Sequence, residues 1–182
     1  MDGRRLASRL LAAAGCVLLT AGAAGAQRWN GLKLVPEDSL GLAPDAEPLA
    51  HRRLTGMGRC GVTGHVVVAD TADLRRLRAY PQCATAPLPA LPGRTLVGVS
   101  VLGDCHSRYR LDAFRSESRR EFRVRLQRVY GGCRAGGFAD AWLELPPLPA
   151  GWTVAVSDES LDADVDALGP GWTHIRESEA GG

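Results

Sequence analysis

Four cysteines, Cys60, Cys83, Cys105 and Cys133, follow an N-terminus with the features of an export signal. An even set in an exported domain of this size predicts two disulfides, and that constrains the fold more than any other feature. Arg4, Arg5 and Arg9 form a positive n-region, Leu10 to Thr20 an uncharged apolar core, and Ala24-Gly25-Ala26 a small-residue cleavage site before Gln27. Residues 1–26 are therefore expected to be a secretory signal peptide acting through general secretion, which places the chain as secreted or periplasmic. The apolar run is too short and too rich in Ala and Gly to span a bilayer, so no membrane span is expected. Cys16, after Ala13-Ala14-Gly15, offers lipoprotein anchoring as a minor alternative, but Val17-Leu18-Leu19 carry the apolar run past the cysteine where a lipoprotein box closes it.

Removing residues 1–26 from 182 leaves 156, enough for one domain with a single core. The whole chain has 22 basic and 20 acidic residues, and the signal holds three of the former and one of the latter. The mature chain thus has 19 of each and no net charge, which argues against nucleic acid as a partner. All but one of the basic residues, Lys33, are arginines, a ratio that coding bias explains.

Pro36, Pro44 and Pro48 interrupt residues 27–56, which read as a linker or a surface strap, with Trp29, Leu32, Leu34 and Val35 favouring a partial strap. Residues 57–157 read as the disulfide-stabilised, β-rich domain. Val62 to Ala69 is an apolar, β-branched strand, and Asp70 or Thr71 caps a helix over Ala72 to Tyr80 with Leu74 and Leu77 on one face. Pro81 ends the helix, and Pro87, Pro89 and Pro92 make Cys83 to Gly93 an irregular loop. Thr95 to Leu102 reads as a central strand, Arg108 to Arg115 and Glu121 to Tyr130 as an alternating hairpin, and Ala139 to Leu145 and Trp152 to Val156 as two further strands. Residues 158–182 read as an acidic, partly disordered C-terminal tail apart from Leu161, Val165, Leu168 and Trp172. The fold class expected is α+β, mainly β: a small antiparallel sheet or sandwich with one helix and two disulfides.

A hairpin closing near residue 119 opposes positions whose numbers sum to about 238, and Cys105 with Cys133 meets that condition. Cys60 then pairs with Cys83 by elimination. Each bridge closes a loop of around 25 residues, for which chain entropy gives roughly 3 kcal/mol of stabilisation.

The patterns that carry chemistry are each outweighed by a structural reading. His106 beside Cys105 resembles an activated thiol pair, but a disulfide consumes the sulfur. Gly98-Val99-Ser100-Val101-Leu102 lacks the closing glycine of a nucleophile elbow and lies inside a strand. Metal ligands at zinc spacing are missing from the sequence, and Asp162, Asp164 and Asp166 start a calcium-like loop that has Ala167 where a glycine belongs and Thr173 where a glutamate belongs. The glycine-rich segment Gly131 to Gly137 precedes no helix and reads as a mobile loop pinned at Cys133. No catalytic residue, metal or cofactor is expected, and no small-molecule ligand is indicated. The candidate partner-binding residues are Arg108, Arg110, Arg119, Arg120, Arg123 and Arg125, which with Arg115 and Arg128 crowd one hairpin and are expected on its exposed face. Local Glu117, Glu121 and Asp112 are the competing use for these charges.

The order of elements carries a resemblance. Leu74-Arg75-Arg76-Leu77, a proline-rich loop, Thr95-Leu96-Val97-Gly98-Val99-Ser100-Val101-Leu102-Gly103, the hairpin, Trp142-Leu143-Glu144-Leu145-Pro146 and Trp152-Thr153-Val154-Ala155-Val156 together resemble the C-terminal domain of PrcB-like proteins, exported accessory subunits that assist a surface protease. It covers residues 72 to 157. Where that family follows its Leu-Gly with a Gly-Gly-Tyr-like segment, this chain has Asp104-Cys105-His106-Ser107-Arg108-Tyr109, and the cysteine pair is an addition. The resemblance implies a non-catalytic β-rich module. The function expected is an exported, non-enzymatic domain that binds or stabilises another exported protein, a protease among the candidates. The alternatives are a secreted hydrolase using His65, His106 or His174, and a protease inhibitor presenting the Pro87–Pro92 loop.

Overall fold

Strand-forming residues dominate the second half of the chain, and they build two packed sheets. The structure, a computed structural model, describes residues 28–29, 32–35, 41–55, 57, 60 and 64–175, so the expected signal peptide and Cys16 lie outside the described residues. The strands are β1 (Arg28–Trp29), β2 (Leu32–Val35), β3 (Glu47–Pro48), β4 (Arg52–Leu54), β5 (His65–Val68), β6 (Thr95–Asp104), β7 (Arg108–Ser116), β8 (Glu121–Val129), β9 (Gly136–Leu145), β10 (Thr153–Ser160) and β11 (Thr173–His174). One α-helix, α1, spans Thr71–Arg78.

The first sheet runs β1-β2-β5-β6-β9-β4 and the second β10-β8-β7-β11, with β3 also pairing β7. Val97, Val99, Val101, Leu143 and Leu145 of the first sheet meet Tyr109, Leu111, Phe122, Val124, Leu126, Val154 and Val156 of the second in one core. The opposite face of the first sheet carries Val66, Val68, Leu96 and Trp142, which pack with Leu77 of α1, Leu88 and Leu91 of the proline-rich loop, and the Cys60–Cys83 bridge. Helix and loop, first sheet and second sheet thus form three layers, and this explains why β6 is apolar at nearly every position.

Local signals specify the elements that flank this sandwich. The Asp70 carboxylate accepts a 2.7 Å hydrogen bond from the Asp73 amide and caps α1. A 3₁₀ turn at Pro81–Cys83 follows the helix and delivers Cys83 to Cys60, with Cα atoms 4.4 Å apart. The hairpin pairs Arg108 with Val129 and Ser116 with Glu121, so its open end brings Cys105 to Cys133, with Cα atoms 5.7 Å apart. Both bridges follow the expected pairing. Gly98 lies opposite Trp142, where a Cβ would come within 2.9 Å of the indole ring, so glycine is what lets the tryptophan lie flat on β6.

The first sheet is antiparallel throughout, as expected, whereas the second is mixed because β10 pairs parallel with β8, Val156 against Val124. The chain reaches β10 only after crossing to the first sheet as β9, a non-local route that no local pattern encodes. The linker-or-strap segment contributes strands to both sheets: β2 pairs β5, β3 pairs β7 and β4 pairs β9. The segment expected as a tail also returns to the domain as far as residue 175: β11 pairs β7, and Ile175 is fully buried in the core between the sheets. Burying one isoleucine contributes about 1.5–3 kcal/mol toward holding that end, beside the pairing of β11.

Asp45 fastens the strap to the hairpin turn, accepting 2.8 Å and 2.7 Å bonds from the Ser118 amide and hydroxyl and 2.9 Å from the Ser116 hydroxyl. These bonds, the Ser118 amide foremost, favour the charged form and lower its pKa from 3.8 to about 2. A carboxyl depressed on folding adds stability that is present above its unfolded pKa and is lost as pH falls through the folded one. Chemical denaturation should therefore show the wild-type chain losing stability between 3.8 and about 2 more steeply than D45N. In a second test, Trp142→Ala should cost about 3–5 kcal/mol by urea denaturation at neutral pH.

Candidate functional site

Besides the Asp45 fastening, polar side chains among the described residues gather on the hairpin, at the corner beside it and on β9, around one or two carboxylates in each place. On the hairpin, Asp112 of β7 accepts from Arg110 at 3.0 Å and from Arg125 at 3.2 Å. Glu121 of β8 takes Arg123 at 2.8 Å and Arg119 at 3.7 Å, and Arg119 also donates to the Gly41 carbonyl. Arg123 is only 2% exposed, which corrects its expected place on an open face. A guanidinium beside a buried carboxylate satisfies both groups without water, which is why it sinks into the sheet. Arg108 is half-buried, and Arg120 is exposed at the turn with a positive φ of 50°. Arg115 and Arg128 sit opposite Phe122 and Tyr109, on the face that meets the first sheet. Arg115 lies over the Trp152 ring and Arg128 pairs with Asp158 at 2.5 Å. Local carboxylates thus consume much of the hairpin's charge.

The second place is the corner made by the β6–β7 and β8–β9 turns. Asp104 accepts from the Ser107 hydroxyl at 2.8 Å and from the amides of His106, Gly132 and Gly131 at 3.0, 2.9 and 3.3 Å. Partial burial alone would raise its carboxyl; the four bonds outweigh this and hold it below its usual value. Gly131 is obligatory here, because a Cβ would lie 2.3 Å from the Cβ of His106. The glycine-rich segment expected to be mobile is therefore tied down at its start by Asp104, and its end, Gly136 and Gly137, lies in β9. Cys105, His106 and Cys133 bring one ligand-type atom each within 4.8 Å of one another.

The third place was not expected. Glu144, in the apolar run of β9, faces the helix-side layer and has a side chain only 2% exposed. Its two oxygens take Arg52 of β4, at 2.5 Å, and Arg94 from the end of the proline-rich loop. Register positions Arg52 directly across from Glu144, and the loop that caps the helix-side core brings Arg94. His51 adjoins them, with its Nδ1 3.0 Å from the Leu49 carbonyl oxygen. With Ala50, Gly93, Leu145 and Pro146 these side chains line a cleft of about 470 Å³. The sequence held one clue, a lone glutamate among Trp142, Leu143 and Leu145: a carboxylate in a strand covered on both faces needs a cationic partner.

The three histidines of the hydrolase alternative lie on separate elements. His65 is buried in β5, His106 is exposed on the β6–β7 turn, and His174 lies in β11 with Nδ1 2.9 Å from the Ile175 carbonyl oxygen. The Pro87–Pro92 loop of the inhibitor alternative packs Leu88 and Leu91 into the helix-side core. The two bridges fit an oxidising environment, and among the described residues no helix is long and apolar enough to cross a membrane. No protein family, no curated protein and no solved structure matches the chain.

Proposed function

We propose that this chain is an exported, non-catalytic domain, secreted or periplasmic, that binds another exported protein by taking an acidic segment of it into the Arg52–Arg94 cleft. One observation carries the reading. The carboxylates Asp112, Glu121 and Glu144 are each shared by two arginines, and at Glu144 the two guanidiniums leave one unit of positive charge over. Only at Glu144 are both arginines more than half exposed, at 64% and 53%, while the acid beneath them is buried. The surplus charge there stands in a cleft, on donors held in place by a group that solvent does not reach. A guanidinium carries five N–H donors and suits a carboxylate in two-pronged fashion, so an aspartate, a glutamate or a chain terminus is the matching ligand. β4, which supplies Arg52, is the end strand of its sheet and offers an extended peptide a backbone to run beside. The resemblance of residues 72–157 to PrcB C-terminal-like domains supports the same class, an accessory subunit with a protease among its candidate partners.

The test must not strand Glu144, because removing the partners of a buried charge costs about 3–5 kcal/mol and would confound binding with unfolding. The triple variant R52Q/R94Q/E144Q replaces all three charges with neutral amides and so leaves no buried carboxylate unpaired. Fluorescence anisotropy with a labelled hexaglutamate peptide should show affinity falling at least about tenfold in the triple variant, and falling with added salt in the wild type. R119Q/R120Q at the hairpin turn should bind as the wild type does. Equal binding by the wild type and the triple variant, with both folded by circular dichroism, would sink the proposal.

A further inference from the structure

The two disulfides have opposite environments. Cys60 and Cys83 are fully buried in the helix-side core, whereas Cys105 and Cys133 are partly exposed beside the exposed His106. The outer bridge is also duplicated by a second fastening. Asp104 joins the same two turns through the amides of Gly131 and Gly132, and the Cys105 amide donates to the Ala135 carbonyl at 3.1 Å. Packing of Gly131 on His106 and the bond from the Ile175 amide to the Ser107 carbonyl, 2.9 Å, hold the corner from two more directions. None of these contacts runs through the sulfur–sulfur bond, so each stays available to the turns when it opens.

We propose that the Cys105–Cys133 bridge is a redox gate over a Cys–Cys–His site for a thiophilic d¹⁰ cation, zinc(II) being the ion to test. A dithiol reductant opens the bridge: two electrons and two protons pass to the pair of sulfurs, and the reductant leaves as its own disulfide. The ion then binds two thiolates and one imidazole nitrogen, releasing the two thiol protons. Three ligand atoms within 4.8 Å of one another need only a small adjustment to reach tetrahedral zinc, and the partly exposed corner leaves the fourth position to water. The oxidised form has no thiolates to offer and is closed to the ion. This site is independent of the acidic-peptide cleft.

Treatment of the folded full chain with limiting tris(2-carboxyethyl)phosphine, followed by alkylation and peptide mass mapping, should label Cys105 and Cys133 and spare Cys60 and Cys83. Cobalt(II) added to the reduced chain should then give the thiolate charge-transfer and intense visible bands of a tetrahedral site, displaced by zinc(II). The oxidised chain should give none. H106A should bind cobalt at least about tenfold more weakly, and C105S/C133S, which keeps the Asp104 fastening, should lack the bands while retaining the wild-type far-ultraviolet spectrum. The proposal is overturned if the inner bridge opens first, if selective reduction unfolds the chain, if the reduced chain shows no thiolate bands, or if H106A binds as tightly as the wild type.

Discussion

The first sheet has apolar side chains on both faces, so it is stable only when both are covered at once. Trp142 looks toward the helix and Leu143 toward the second sheet, and neither core is complete without the other layer. The helix-side cover is thin: eight helical residues and a loop studded with proline. Such a cover buries too little surface to hold itself in place, since a short isolated helix is marginal in water. The Cys60–Cys83 bridge ties the joint between helix and loop to the segment ahead of β5, inside that core. The indole nitrogen of Trp142 adds a 3.3 Å bond to the Cys60 carbonyl, so the tryptophan, the bridge and the cover form one unit. Removing water from this layer also fixes Glu144, because a carboxylate at its rim must find partners when the layer closes.

What could be read from the sequence follows from how local each feature is. Asp70 marks the start of α1, Pro81 its end, and the alternation of Phe122, Val124 and Leu126 the inner face of β8, because each depends on residues a few positions apart. The cysteine pairs were legible for the same reason, one following from a hairpin register and the other from elimination. Parallel pairing of β10 with β8 was not, since it depends on β9 having crossed to the other sheet. Short strands such as β3 and β11 have too few residues to show a period, and they exist because β7 has an open edge to fill, β3 at Phe114 and Arg115, β11 at Arg108 and Tyr109. The Arg52–Glu144–Arg94 junction joins three segments separated by 92 and 50 residues, so its acid could be suspected but its arginines could not be named.

The arginines show how pattern and burial part company. Alternation along β8 assigns Arg123 and Arg125 correctly to the face away from Val124, but a face is not the same as an exposure. Glu121 lies on that face beside Arg123, and the pair sinks together. Arg115 and Arg128, at the ends of the inner face, turn their charged heads to Glu117 and Asp158. Arg53 stacks 4.8 Å over Tyr109 between the sheets and bonds its hydroxyl and that of Thr173. Arginine therefore works here as a structural residue that bridges layers, which a count of charges on a hairpin cannot reveal.

Residues 27–182 hold equal numbers of acids and bases, yet local surplus charge arises where one carboxylate serves two guanidiniums. Asp104 and Asp45 accept from amides and hydroxyls instead. These two acids work as fasteners between chain segments, whereas a shared carboxylate holds two guanidiniums at one place. Two of the junctions, at Asp112 and Glu121, lie on the second sheet. At the third, the acid lies under the rim of the helix-side core and both cations stand above it, so the position of Glu144 in a doubly covered strand sets the location of the exposed charge.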